Sequence, residues 1–366
     1  MEPFWGIEPA DLLKIRDELE HKIDSYTIGK NETVPHVEVL TYAFQEGRYD
    51  QLIVSSREII KLFKQIQDEL PNFRITLSPH DGPNRMSDYR VKRAVLDAAA
   101  SGTCEYMNSE EPKKCTDRFP DIERAALPKV ATHGWVMACS PKSPARRRRV
   151  INLDDPPSRP NKKTFIYDHV KSMDPCQNPH LFYQHGQFLS HELGPWPQDI
   201  MVPEFSHCST TLHHNIRFPV PYGWVEDIYP RSDDPEFEDK LDERLLWRGS
   251  NTGMFHSSKT RWERSHRDVL VASANDLEGT VKLVPPYKAK NEKIEELKEF
   301  RKAHINPAVM DIAFSGPPIA CAQDTCDLLK KIYPWRERQS IQEAGNYKYV
   351  LDVCSSPPSA CCGIGS

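Results

Sequence analysis

Residues 59–83 read IIKLFKQIQDELPNFRITLSPHDGP, and a change of rhythm inside them decides the fold class. Ile59, Phe63, Ile66 and Leu70 recur at three or four residues, the spacing of one helix face. Pro71 has no amide proton and clashes with the turn before it, which predicts the end of that helix. Phe73, Ile75 and Leu77 then alternate with Arg74 and Thr76, the period of a strand. Ser78 to Pro83 is a run of turn formers, and Val91, Val95 and Ala98 restart the helical spacing. Helix, strand, loop and helix in succession make the unit of an α/β sheet. In open sheets of that kind ligands bind beyond the carboxyl ends of the strands, where His80 and Asp81 fall.

Working outward, Leu12, Ile15, Leu19 and Ile23 predict an opening amphipathic helix. From about residue 102 to 240 the chain is rich in Pro, Asp, Arg and Ser, with short strand-like pieces such as Thr164 to Tyr167. Regular rhythm then returns. Leu245-Leu246-Trp247 reads as a short buried strand and Arg248-Gly249-Ser250-Asn251-Thr252-Gly253 as its loop. A helix is expected from about Lys259, carrying Trp262, His266, Val269 and Leu270. Ile294, Leu297, Phe300 and Ala303 predict another helix, Val309 to Phe314 a strand, and Cys321 to Ile332 a helix. Tyr347 to Val353 alternates as a last strand. No internal repeat is visible. The expected organisation is an N-terminal α/β domain over 1–240 with Pro-rich irregular insertions, a partial C-terminal domain over 241–353, and a Cys-rich tail over 354–366.

A length of 366 residues suits two domains and a buried core without a structural metal. Lys and Arg number 48 against 53 Asp and Glu, a net charge of −5, so there is no electrostatic footprint for nucleic acid. No run of 18 apolar residues predicts a membrane span, and MEPFWGIEPADLLKIRDELEHKID has neither the basic nor the apolar stretch of a secretory signal. Proline, at 31 against 16 glycines, argues for rigid connections. The ten cysteines lack zinc-site spacing. Cys321 with Cys326, and Cys104 with Cys115, each enclose a short polar stretch that a disulfide could close; reduced, partly buried thiols are the alternative. Disulfides would place the protein in the secretory pathway.

Few residues carry a chemical signal. A carboxylate at a sheet's carboxyl edge, such as Asp81, can act as a general base, although Asp before Gly82 is first of all a turn former. Arg248, Gly249 and Ser250 after a strand could hold a diphosphate through a guanidinium, a small side chain and backbone amides. The loop is neither a Walker A motif nor GxGxxG. His266-Arg267 lie on the next helix, where an exposed face with i,i+4 pairing is the plain reading. Arg146 to Arg149 read as a solvated loop, and Asp154-Asp155-Pro156 and Asp233-Asp234-Pro235 as turns rather than metal ligands. GxSxG is absent, which argues against a hydrolase of the nucleophile-elbow type.

Taken together, LLWRGSNTG at 245–253, Trp262 followed after three residues by His266-Arg267, and YKYVLDV at 347–353 closely resemble the signature of glycosyltransferase family 90. That family holds the fungal capsule-associated proteins and the animal protein O-glucosyltransferases. The fungal branch is the nearer match through HDGPNR at 80–85, HGWVMACSP at 133–141, VPEFSHC at 202–208 and IRFPVPYGW at 216–224. The resemblance runs in order from about residue 30 to 353.

It implies a GT-B arrangement, two Rossmann-like domains facing a cleft, the C-terminal one incomplete here. It implies an inverting reaction without a metal or other cofactor, moving a xylose or glucose type sugar from a UDP-sugar to a hydroxyl of a polysaccharide or glycoprotein glycan. Asp81 matches the family's general base, and Arg248, Gly249, Ser250 and Arg267 match donor-site positions. Family members work in the secretory pathway, often behind a membrane anchor, and continue past YKYxLD with a further Rossmann unit. Here CSSPPSACCGIGS follows, so the alternative expectation is an inactive, truncated member that binds only a glycan or partner.

Overall fold

A computed structural model describes residues 2–19, 24–43, 54–79, 82–102, 134–147, 168–190, 194–195, 197–198, 200–218, 232–284 and 297–353. The chain divides into two compact units, Met1–Tyr183 with His191–Val225, and Gln184–Ser190 with Glu226–Ser355. Both mix helices with sheets that contain parallel strands, the α/β character the sequence predicts. No described helix is long and apolar enough to cross a membrane.

The first unit holds strands β1 (Ser25–Lys30), β2 (Glu38–Ala43), β3 (Phe73–Leu77), β4 (Glu204–Ser206) and β5 (Ile216–Arg217) in the order β2-β1-β3-β4-β5. Its helices are α1 (Glu2–Trp5), α2 (Pro9–Leu19), α3 (Val54–Gln65), α4 (Tyr89–Ser101), α5 (Pro144–Arg147) and α6 (His169–Met173). β1 runs antiparallel to both β2 and β3, while β3, β4 and β5 are mutually parallel. The register sets Tyr26 opposite Leu77 and Ile28 opposite Ile75, so alternate residues of both strands share one face. Ile59 and Phe63 of α3 close that face into a core with Tyr26, Ile28 and Leu77. A second cluster joins Phe4, Ile7, Ile15 and Val95 from α1, the segment after it, α2 and α4 to Met201, Val202 and Ile216.

The predicted helix over Ile59 to Leu70 is shorter than its spacing suggests. α3 stops at Gln65, five residues short of Leu70, and turns follow. Ile66 N, Glu69 N and Leu70 N donate three residues back, to the Phe63, Ile66 and Gln67 carbonyls, so the chain leaves α3 through tight turns before Pro71; the Gln67 carbonyl also accepts from Lys30 Nζ and its side chain from Val37 N at 3.0 Å. A disulfide, Cys139–Cys176, staples the 3₁₀ turn Trp135–Ala138 to the segment after α6. Cys104, Cys115, Thr164 to Tyr167, and the tail 354–366 lie outside the described residues.

The second unit is built on β6 (Asp242–Gly249), β9 (Met310–Ser315), β10 (Trp335–Arg336) and β11 (Tyr347–Val350), all parallel, in the order β10-β9-β6-β11; a hairpin of β7 (Thr280–Leu283) and β8 (Lys298–Arg301) stands apart. Its helices are α7 (Gly186–Ser190), α8 (His266–Asn275), α9 (Lys302–Val309), α10 (Gln323–Ile332) and α11 (Ile341–Gly345). Trp247, Ile312 and Phe314 on one sheet face pack against Val271 and Ala274 of α8. Phe314 stacks on Trp335 with ring centres 5.0 Å apart and meets Tyr333 edge-on at 5.4 Å.

Four predictions change here. Residues Lys298–Arg301 form a strand, not part of a helix, because Phe300 pairs across the hairpin with Val281; the i,i+3 spacing of Leu297, Phe300 and Ala303 straddles a strand-to-helix boundary. The helix expected from Lys259 begins at His266, since Ser265 caps it by accepting from Asp268 N at 3.3 Å. β6 runs through Arg248 and Gly249, so the loop proper is Ser250 to Gly253, and β11 ends at Val350 rather than Val353.

Candidate functional site

The strand order of the second unit turns back at β6. The next strands, β9 and β10, are added on one side of it, and the last, β11, on the other. Such a reversal opens a crevice at the carboxyl ends of the strands, where ligands of doubly wound sheets bind. Ser250 to Gly253 leave β6 at that edge, and Leu351 to Val353 leave β11 there.

Arg267, on the first turn of α8, spans the two segments. Its Nη1 donates to Ser250 O at 2.8 Å and to Thr252 Oγ1 at 2.8 Å, and its Nη2 to Val353 O at 3.4 Å. Its Nε is buried and makes no hydrogen bond within the described residues. Burial lowers the Arg267 pKa, with Asp352 and Asp268 acting against that. The amides of Ser250, Asn251, Thr252 and Gly253 also donate to no acceptor among the described residues. Gly253 holds φ at 106°, a value that L side chains avoid. Amides without acceptors, an unbonded guanidinium nitrogen and a helix N-terminus are the donor types that can hold a phosphate group.

A second loop braces this one. Asn251, fully buried, donates from Nδ2 to Ile319 O at 2.5 Å and accepts from Ile319 N at 2.9 Å. The loop after β9 that carries Ile319 is tied at its far end to the first turn of α10 by a disulfide, Cys321–Cys326, one of the two possibilities the spacing offered. Ala320, at φ 53°, is the one non-glycine residue in the left-handed region among those described. His256 N donates to Ala320 O and Ala322 N to His256 O, both at 2.9 Å, so the strained residue is pinned from both sides.

Arg248 points elsewhere. Its guanidinium donates to Asp311 O at 2.7 Å and to Asp311 Oδ1 at 2.6 Å. Asp311 also binds Arg336 and accepts from Tyr347 Oη at 2.5 Å, with Arg244 at 3.5 Å. Burial pushes the Asp311 carboxyl up, but the bonds from Tyr347 and Arg248 and the Arg336 charge outweigh it and hold it below the ordinary carboxylate range. Arg248 thus ties β6 to β9, while Ser250 Oγ pairs with Thr252 Oγ1 at 3.0 Å. His185, 2% exposed beside α7, lies 4.6 Å from the His266 ring, centre to centre. Neither of its nitrogens is bonded within the described residues, and burial with the nearby His266 pushes its pKa down to about 3.

In the first unit, His80 and Asp81 lie outside the described residues, but both flanks are held. Ser78 N donates to Phe205 O at 2.7 Å. Asn84 N and Arg85 N donate to Asn215 Oδ1 at 3.2 and 2.9 Å. Arg85 forks onto Glu204 at 3.0 and 3.1 Å, and Asn215 Nδ2 donates to the same carboxylate at 2.9 Å. Burial raises the Glu204 pKa, opposed by Arg85 and Asn215. His214 accepts from Val202 N at its Nε2, which leaves Nδ1 to carry the proton toward Ser87 Oγ.

The sequence missed Asn251, His185, Glu204 and Asn215 as builders of these sites. Asn251 stood inside the RGSNTG run, but nothing local shows that its amide reaches a loop 68 residues on. Among the described residues no group of three or more His, Cys, Asp or Glu side chains could hold a metal ion. Asp234 is paired with Lys240 at 2.7 Å instead, and Asp154 and Asp155 lie outside the described residues. No family model, curated protein or solved structure matches the chain.

Proposed function

We propose that this protein is a nucleotide-sugar glycosyltransferase, inverting and metal-independent, of the kind that the resemblance to glycosyltransferase family 90 implies. The observation that carries the reading is the Ser250–Gly253 turn with its unengaged amides, set under Arg267 at the strand reversal of a parallel sheet. A UDP diphosphate is the ligand whose chemistry fits: the amides and the Arg267 Nε meet its oxygens, and α8 adds the positive end of its dipole. In this reading Arg267 is the direct ligand, and Arg248 with Gly249 holds the strand from which the turn springs. Asp81 takes the acceptor hydroxyl's proton as that oxygen attacks C1, and the diphosphate leaves against Arg267. In the GT-B arrangement the acceptor, a glycan or glycoprotein hydroxyl, belongs to the first unit and the donor to the second. Two disulfides support a secretory location.

Titration calorimetry with UDP tests the donor site. Arg267→Ala is expected to weaken binding by about 1.5–3 kcal/mol, the worth of hydrogen bonds to charged groups. Equal affinity for the variant would reduce the RGSNTG stretch to a turn. Asp81→Asn keeps the shape but cannot accept the proton, so transfer is expected to fall by roughly 10²–10⁴ with UDP binding unchanged. Slow release of UDP from the donor without acceptor distinguishes turnover from binding alone.

A further inference from the structure

The loop joining β1 to β2 carries Asn31-Glu32-Thr33, the one Asn-x-Ser/Thr tripeptide in the sequence, with no proline at the middle position. All three residues are exposed. Asn31 Oδ1 accepts from Thr33 N at 2.9 Å, Thr33 Oγ1 at 2.7 Å and Val34 N at 2.8 Å, while Asn31 N donates to Val34 O at 2.8 Å. The side-chain oxygen is thereby saturated in a tight Asx turn, and Nδ2 has no partner among the described residues. Both ends of the loop are anchored, since Lys30 Nζ and Val37 N bond to Gln67. The turn therefore stands exposed on a fixed base, with the Thr33 hydroxyl already bonded to the same side-chain amide.

We propose that Asn31 carries an N-linked glycan. The disulfides Cys139–Cys176 and Cys321–Cys326 belong to the oxidising compartment in which such transfer takes place. The co-reactant is a polyprenyl-diphosphate-linked oligosaccharide presented by the cell's own transferase. A bond forms from Asn31 Nδ2 to the sugar's C1, the C1–oxygen bond to the diphosphate breaks, and the polyprenyl diphosphate leaves with that electron pair. One Nδ2 proton passes to a base of the transferase. Lys30 lies opposite Phe73, so the loop sits at the amino end of β3, while Ser78 to Arg85 leave its carboxyl end. A glycan at Asn31 is thus held at the opposite edge of the sheet from the segment proposed to face the acceptor. The inference does not depend on the glycosyltransferase reading.

The test is mass spectrometry of the full chain isolated from the cells that make it, before and after peptide N-glycosidase in ¹⁸O water. The Asn31 peptide is expected to appear only after treatment, converted to ¹⁸O-labelled Asp. Thr33→Ala should abolish the glycan and its electrophoretic shift, and Thr33→Ser should keep it. Asn31→Gln should match Thr33→Ala, which guards against misfolding of either variant. An unmodified Asn31 in the isolated chain, or a shift that survives in Thr33→Ala, overturns the proposal.

Discussion

The two units bury charge in opposite ways. In the first, Arg85 and Glu204 are sealed together, their side chains 9% and 0% exposed, and Asn215 completes the cluster. In the second, Asp311 is as deeply buried, but its cations run outward: Arg248 is 9% exposed and Arg336 49%. A sealed pair must be satisfied from within, because water cannot replace a lost partner. A graded network can lose its outer member and keep the inner ones. The difference matches what each unit holds in place. The sealed cluster fixes the flanks of a loop, and the graded one ties adjacent parallel strands whose edge carries a turn with amides left open.

The sharpest way to break this comparison is to remove one cation from each. Arg85→Ala leaves the Glu204 carboxylate buried without its partner and is expected to cost about 3–5 kcal/mol. Arg336→Ala removes a half-exposed, solvent-screened cation from an Asp311 still bonded to Arg248 and Tyr347, and is expected to cost under about 1 kcal/mol. Urea unfolding of both variants decides it; equal losses would show that burial of the cation is irrelevant. Acid probes the same contrast more gently. In the first unit His213 and His214 are buried and neutral: burial and the Lys92 charge push His213 down to about 3, and His214 well below its ordinary value. In the second unit His185 is the counterpart. A histidine with a depressed folded pKa binds a proton only when unfolded, so its contribution is intact above about 6.5 and lost as pH falls below it. Each such group costs up to about 1.4 kcal/mol per pH unit. Between pH 7 and 5 the first unit should therefore lose stability more steeply than the second, and His213→Gln should flatten its slope. A urea midpoint that stays constant over this range would contradict neutral burial.

How much of this the sequence discloses depends on the range of each interaction. Phe73 to Leu77, Met310 to Ser315 and the helices over Tyr89–Ser101 and Gln323–Ile332 are legible because their periodicity is local. Lys298–Arg301 is not, because its strand state is set by pairing with Val281 across the hairpin. The antiparallel seat of β1 against β3, which makes the first sheet mixed, leaves no mark in either strand's own pattern. Arg248 looked like a phosphate ligand, since its partner Asp311 stands 63 residues away in a stretch that reads only as strand. Cys139 and Cys176 are likewise brought together by the fold, whereas Cys321 and Cys326 are close enough in sequence to be paired by eye. Of the candidate site, the turn after β6 stands out in the sequence, whereas the Arg267 bonds to that turn and the Asn251 brace join residues far apart and leave no local mark.

The smallest effect concerns the strands themselves. β3 is flanked by β1 on one side and β4 on the other, and Leu77 is fully buried. β11 has β6 as its one neighbour among the described residues, and Val350 is 62% exposed. Alternate amides of an edge strand face away from the ladder, so they exchange without any opening of the sheet. Even the inward amides depend on a single row of bonds, and fraying of such an edge costs less than unfolding the unit. Native-state hydrogen exchange is therefore expected to be faster at Tyr347–Val350 than at Phe73–Leu77 by roughly tenfold or more. Arg267 gives the comparison a second edge, because its Nη2 reaches Val353 O just beyond β11. If UDP binds beside Arg267, the ligand links the turn after β6 to the segment after β11, and saturating UDP should slow exchange at Tyr347–Val350 while leaving Phe73–Leu77 unchanged. Equal protection of the two strands without ligand would mean that the β11 edge is covered. Protection that fails to respond to bound UDP would place the diphosphate away from the crevice between β6 and β11.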